Sequence, residues 1–122
     1  MALKHRKSKV PPPPPTCPLT ECMKLLGGAW TPNVIWYLSE GPRRFSELRA
    51  DIPPISAKVL SARLREMEAQ GVVTRQVMPT SPPSTEYTLT ALGRELLPAT
   101  EAIARIGAKL KQPRWQAQMA AE

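Results

Sequence analysis

Apolar residues recur at helical spacing after the proline run 11–15, beginning at Leu19. A helix is predicted from Pro18, because proline is tolerated at a first helical position, and Gly27-Gly28 should end it. A second helix is predicted to start with Thr31 as its N-cap before Pro32 and to stop at Gly41-Pro42. The amino-terminal part therefore predicts two short helices. The apolar residues of the first recur at roughly helical spacing, at Leu19, Cys22, Met23, Leu25 and Leu26, and the buried stripe of the second consists of Val34, Ile35 and Leu38.

The middle of the chain predicts two further helices separated by a proline turn. Residues 43–45 suit a short edge strand, and Ser46 is predicted to cap a brief helix over 46–51. Pro53-Pro54 must break that helix, after which Ser56 caps a longer one over 56–70. Three of its apolar residues recur at i, i+4 and i+7, namely Leu60, Leu64 and Met67. Gly71 is expected to end the helix in a left-handed conformation.

After Gly71 the period changes to that of a β-hairpin. Residues 72–78 and 85–89 are rich in strand-forming residues, and the proline-containing segment between them must be a loop. Thr90 is predicted to cap a last long helix, which Pro98 should kink and Pro113 should end. Residues 113–122 are then expected to form a C-terminal tail.

A short helix, a tight turn, a longer helix and a hairpin follow one another in the order of a winged helix-turn-helix. The expected fold class is mainly α with a small β-hairpin, in one domain over 17–112. On the 56–70 helix the face opposite the apolar stripe is small and cationic, which suits a DNA major groove. An ordinary solvated helix face is the alternative. The predicted DNA-binding residues are Arg43, Arg44, Ser56, Lys58, Ser61, Ala62, Arg65 and Arg75.

Two of these predictions stay open at the level of sequence. Arg43 and Arg44 either grip phosphates or cover apolar surface with their stems. The hairpin loop itself has no cation, so a wing held to DNA by charge is less well supported than the helix.

The charge distribution indicates a polyanionic partner. The chain of 122 residues carries a net charge of +7. Residues 1–16 hold four cations and no acid, followed by the proline run 11–15, whereas 17–122 hold 13 cations and 10 acids. The 1–16 segment is expected to be a disordered tail, either a DNA-contacting arm or a solubilising leader.

Other classes of protein find little support. No apolar run is long enough for a membrane span, and no signal peptide is indicated, so a cytoplasmic protein is expected. The single histidine, His5, lies in the tail, and no phosphate loop or nucleophile motif accompanies it, so no enzyme is expected. His5 with Cys17 and Cys22 matches no zinc spacing; we expect no metal and no cofactor.

The last helix has more apolar positions than one small domain needs to shield. With the 19–26 helix it is expected to form the interface of a two-fold homodimer, whose DNA site would be a palindromic operator. The alternative is a winged-helix module that contacts a protein and binds no specific DNA.

Several local motifs support a family resemblance over about residues 17–107. They are Cys17-Pro18, Gly27 to Thr31, Arg44 to Leu48, Ile55-Ser56, Leu60 with Arg63-Leu64, Gly71, and Glu86 to Thr90 with Gly93. Together they resemble the HxlR-type winged-helix transcriptional regulators, bacterial-type relatives of the MarR regulators. The resemblance implies terminal dimerisation helices and DNA binding by the 56–70 helix. Members often carry a lysine where Ala29 stands and a basic residue near Ser84, and this chain lacks both.

The resemblance also implies a candidate sensor. Some members sense oxidants or electrophiles through an amino-terminal cysteine, and Cys17 occupies the matching position. A thiol at a helix start gains reactivity when the helix dipole lowers its pKa. The alternative is an inert cysteine, so an oxidant or small-molecule inducer stays an expectation.

Overall fold

The computed structural model describes residues 5–11 and 17–121, with the side chain of Ala121 left out. Residues 5–11 are exposed and form neither helix nor strand; the rest of the predicted tail, 1–4 and 12–16, lies outside the described residues. The elements that follow are α1 Pro18–Leu26, α2 Thr31–Tyr37, β1 Arg43–Arg44, α3 Phe45–Asp51, α4 Ala57–Ala69, β2 Val73–Met78, β3 Ser84–Leu89, α5 Ala91–Glu95, α6 Leu97–Leu110 and α7 Pro113–Ala121.

The three strands form one antiparallel sheet in the order β1-β3-β2. β2 and β3 pair along their full lengths, from Val73 opposite Leu89 to Met78 opposite Ser84, and β1 adds a short edge to β3. α3 packs against β1 and β3, and α4 packs against β2. The winged helix-turn-helix class predicted from the sequence is confirmed. None of the helices in the described residues is long and apolar enough to span a membrane.

Two predicted helix caps are confirmed by their hydrogen bonds. The Val59 N–H donates to Ser56 Oγ at 3.1 Å at the start of α4, and the Gly93 N–H donates to Thr90 Oγ1 at 3.1 Å at the start of α5. Gly71 has φ +79°, the left-handed conformation expected of the residue that ends α4.

Two other predicted caps were wrong. Thr31 is the first residue of α2 and is buried, and the N-cap is Trp30, held in the left-handed region at φ 69°. α3 begins at Phe45, one residue before the predicted cap Ser46, because β1 runs directly into it. There Glu47 Oε1 accepts a hydrogen bond from the Arg44 N–H at 2.8 Å and takes over the capping of that end.

The carboxyl-terminal helix is divided more completely than expected. Instead of a kink at Pro98, the chain forms α5 and α6 with Leu96 between them, and Pro98 lies in the first turn of α6, where its missing N–H costs nothing. The segment from Pro113, expected to be a tail, forms α7. The N–H groups of Trp115 and Gln116 both donate to the Gln112 carbonyl, which starts this helix.

The core lies between the helices and the inner face of the sheet. Within the described part of the chain it consists of fifteen buried apolar side chains: Leu26, Val34, Ile35, Leu38, Leu48, Ile52, Ile55, Leu60, Leu64, Met67, Val72, Val73, Tyr87, Leu89 and Leu96. Leu60, Leu64 and Met67 are each at most 1% exposed, so the predicted inner stripe of α4 is fully buried.

Gly93 generates a prediction about stability. A Cβ at this position would lie 2.8 Å from Leu89 Cδ2 and still closer to the Val72 carbonyl, so α5 packs against β3 only because residue 93 has no side chain. We expect Gly93→Ala to lower the free energy of unfolding by about 1–3 kcal/mol, as overpacking does.

Urea denaturation measures this change, with Gly107→Ala as the control. A Cβ at Gly107 meets nothing within 4 Å in the single chain, so at protein concentrations where the chain is monomeric that variant should gain roughly 0.5–1 kcal/mol from helix propensity. Equal effects of the two substitutions would contradict the packing argument.

Candidate nucleic-acid interface

The outer surface of α4 is set by the side chains that its inner face buries. Because Leu60 and Leu64 are buried, the residues about half a turn away point to solvent. Lys58, Ala62 and Arg65 are exposed, and Ser61 is partly exposed. The face is small and cationic, as the sequence pattern predicted.

An open cleft of about 770 Å³ lies between this face of α4 and the sheet. It brings together three of the predicted DNA-binding residues, Ser61 and Arg65 from α4 and Arg75 from β2. The other residues that line it were not among the predicted DNA-binding residues: Phe45, Glu68, Ala69, Thr85 and Tyr87. The strand alternation gave a partial signal, since Thr85 and Tyr87 lie two residues apart on β3 and so share a face.

Tyr87 joins the cleft to the core. It pairs with Arg75 across the β2–β3 ladder and with Arg43 across the β1–β3 ladder, and it is mostly buried. Burial raises the pKa of its phenol above the ordinary value; the Glu68 carboxylate acts in the same direction, and the Arg75 and Arg65 guanidinium groups oppose it. At neutral pH the phenol is therefore a neutral hydrogen-bond donor at the cleft.

Arg43 is engaged within the protein. Its Nε and Nη2 contact the two carboxylate oxygens of Asp51 at 3.0 and 2.8 Å, and its Nη1 lies 3.3 Å from Glu47 Oε2. The bidentate pair with Asp51 ties β1 to the end of α3, and the contact with Glu47 ties it to the first turn. The sequence left phosphate contact or coverage of apolar surface open for Arg43; the structure instead shows its guanidinium paired within the protein, where it holds the first helix of the helix-turn-helix in place.

Arg44 differs from its neighbour. Its side chain is exposed, has no ion-pair partner among the described residues, and lines a smaller cleft with Ser46, Ser84 and Thr85. It therefore lies between the start of α3 and the base of the hairpin, where a nucleic-acid backbone could reach it. Ser56 is also exposed, but its hydroxyl is occupied as the cap of α4.

The hairpin loop is held by its own hydroxyl groups. Thr80 Oγ1 donates to the Pro82 carbonyl at 2.8 Å and lies 3.1 Å from Ser84 Oγ. Because residues 79–84 contain no cation, the positive charge of the wing is confined to Arg75 on its first strand. Arg75 Nε lies 3.5 Å from Glu68 Oε2, so this cation is joined to α4.

Cys17 occupies the N-cap of α1. The backbone N–H of Thr20, the Thr20 hydroxyl and the backbone N–H of Leu19 lower the pKa of its thiol, because all three stabilise the thiolate. Cys22, five residues later, packs partly buried against the core. Both cysteines are free thiols.

Comparison with known proteins identifies the family. The HxlR-like helix-turn-helix family matches residues 25–114. The HTH-type transcriptional regulator sll1512 of Synechocystis is 40% identical over 91 residues, which cover 75% of this chain and 67% of the relative. The HTH-type transcriptional regulator YodB of Bacillus subtilis is 44% identical over 81 residues, covering 66% and 72% of the two chains.

A solved structure agrees in fold as well as in sequence. The redox regulator HypR in its oxidized form superimposes with a TM-score of 0.73 at 34% identity, over 79% of this chain and 99% of that chain. The family match covers most of the chain and includes the helix-turn-helix, the hairpin and α6. This protein is therefore a transcriptional regulator of the HxlR-like helix-turn-helix family.

Proposed function

We propose that the protein is a sequence-specific DNA-binding regulator that works as a homodimer, with α4 in the major groove. The observation that carries this proposal is the cleft, where Ser61, Arg65 and Arg75 meet beside the exposed face of α4. Guanidinium groups bind the phosphates that flank a major groove, and hydroxyl groups bind either base edges or phosphates.

The geometry of α4 suits this role. Its thirteen residues span about 20 Å at 1.5 Å per residue, and a major groove about 12 Å wide admits one helix. The residues near its start, Lys58, Ser61 and Ala62, would approach base edges, as in other helix-turn-helix proteins. Arg65 and Arg75, farther along, lie on either side of the cleft and would approach a phosphate backbone.

The cations outside α4 divide into two roles. Arg44 is exposed beside the hairpin base, and we assign it a phosphate contact. For Arg43 we propose a positioning role, because its guanidinium is already paired with Asp51 and Glu47.

The first test is DNA binding by the wild-type protein and by Arg65→Ala. A duplex enriched from a random 30-base-pair library should bind about 10³-fold tighter than its scrambled version, with a log–log salt slope of about 0.9 per neutralised phosphate. Because Arg65 is assigned to a phosphate, Arg65→Ala should weaken binding to both duplexes about equally and reduce the salt slope by about 1. Fluorescence anisotropy measures each affinity.

Arg105→Ala is the matched control, because Arg105 is exposed on α6 and lines no part of the cleft. If both variants lose the same affinity, only net charge matters and the assignment of α4 is wrong. Failure to bind any duplex at low salt would favour the alternative, a winged-helix module that contacts a protein.

The proposed dimer interface consists of apolar side chains that the single chain leaves exposed. On α6, Ile103, Ile106 and Leu110 recur at i, i+3 and i+7 and are 52%, 58% and 40% exposed. On α1, Leu19 and Met23 are likewise half-exposed or more. A second copy is the partner we propose for these faces, and two-fold symmetry would present two α4 helices to a palindromic site with half-sites about 34 Å apart.

The dimer is tested by Ile106→Glu. Each buried, unpaired carboxylate should cost about 3–5 kcal/mol, so the variant should sediment as a monomer where the wild-type protein is a dimer. The control is Leu92→Glu on α5, where an exposed leucine undergoes the same change outside the proposed interface. A dimeric Ile106→Glu, or a monomeric wild-type protein at micromolar concentration, would refute the interface.

We further propose that Cys17 responds to oxidants or electrophiles. The redox function named for HypR and the lowered pKa of the Cys17 thiol support this assignment. A lowered pKa increases the thiolate fraction at pH 7, and the thiolate is the reactive form.

Thr20→Val tests the cause of that reactivity. It removes the hydroxyl that stabilises the thiolate and keeps the side-chain shape, so the alkylation rate of Cys17 should fall at pH 7 and its rate-against-pH curve should shift to higher pH. Mass spectrometry after brief iodoacetamide treatment measures the rate, with Cys22 as the internal reference. A wild-type Cys17 that reacts with mild peroxide no faster than Cys22 would remove the sensor role.

A further inference from the structure

An acidic side chain stands among the cations of the cleft. Glu68 is the one acid among the described residues that line it, and its Oε2 lies 3.5 Å from Arg75 Nε. Arg65 lines the same cleft, and the charges of all three side chains influence the pKa of the Tyr87 phenol. A carboxylate therefore lies where the proposed function requires a DNA phosphate to approach.

Folding stability does not account for this acid. The Glu68 and Arg75 side chains are 42% and 50% exposed, and ion pairs that exposed contribute little to stability. The attachment of α4 to the sheet is provided instead by buried side chains on its opposite face, such as Leu64 and Met67.

Base recognition does not account for it either. Glu68 lies in the last turn of α4, whereas base edges are contacted from the first turns of a recognition helix. Its carboxylate also faces Arg75 on the neighbouring strand. With α4 in the major groove as proposed, Glu68 would lie beside the DNA backbone and not beside the bases.

We propose that Glu68 is a specificity-determining residue that acts by opposing non-specific DNA binding. Its charge partly neutralises Arg75 and repels phosphates, and this penalty falls on DNA of every sequence. On the correct site, contacts from the start of α4 offset the penalty, and Arg75 is already held in place by the pair. This inference rests on the proposed DNA-binding function.

The experiment compares Glu68→Gln with the wild-type protein on two duplexes, the one enriched from the random library and its scrambled version. On scrambled DNA the variant should bind more tightly, and its salt slope should steepen by about 0.9, equivalent to one more phosphate contact. Its advantage over the wild-type protein should therefore shrink about threefold between 50 and 200 mM salt. Affinity for the enriched duplex should change less, so that the specificity ratio falls.

Glu66→Gln is the matched control. Glu66 lies on the same helix, pairs with Arg63 at 2.8 Å and lines no part of the cleft, yet its substitution changes the net charge equally. Equal tightening by both variants would mean a general charge effect and would overturn the proposal. Weaker binding of Glu68→Gln to both duplexes, with unchanged thermal unfolding, would also overturn it and would make Glu68 a supporting contact.

A double variant tests whether Glu68 acts through Arg75. In an Arg75→Ala background, Glu68→Gln should tighten binding to scrambled DNA less than it does in the wild-type protein. An equally large effect in both backgrounds would refute the role of the pair. If the wild-type protein enriches no sequence from the library, the proposed function fails, whereas the same comparison on an arbitrary duplex of equal length still measures the repulsion by Glu68.

Discussion

The structure depends on the burial of one face of α4. Leu60, Leu64 and Met67 are almost completely removed from water, and burying a side chain of this size contributes about 1.5–3 kcal/mol each. Because these three side chains fix the rotation of the helix about its axis, they also determine which residues face solvent. The chemical character of the outer face, including the exposure of Arg65, is thus a consequence of core packing.

Two neighbouring cations of the helix-turn-helix, Arg43 and Arg44, have different surroundings. Arg43 and Arg44 are adjacent in the sequence, but alternation along β1 sends their side chains in different directions. Arg43 meets Asp51 and Glu47 and holds α3 against the sheet, whereas Arg44 stays in solvent. Charge that stabilises the scaffold and charge available to a ligand therefore come from neighbouring residues, and net charge alone does not distinguish them.

The amino-terminal helix α1 is joined to the end of α4 by a hydrogen bond. Gln70 Nε2, just after α4, donates to the Lys24 carbonyl of α1 at 3.1 Å. Arg63 of α4 packs beside Gly28, and its Nε is buried without a hydrogen-bond partner among the described residues. The turn between α1 and α2 is itself held with Trp30 in a left-handed conformation. The end of the chain that carries Cys17 and the proposed DNA-contacting helix are therefore parts of one packed unit.

The sequence by itself determined the elements and their order, because the period of apolar residues and the positions of proline and glycine act locally. It predicted the inner face of α4, the caps at Ser56 and Thr90, and the hairpin. The pairing of Arg43 with Asp51, the cap at Arg44 and the meeting of Glu68 with Arg75 were decided by the tertiary structure. These contacts join residues whose spatial separation is fixed only when helices and strands pack together. The identity of a side chain does not determine that separation, so the sequence alone did not predict these contacts.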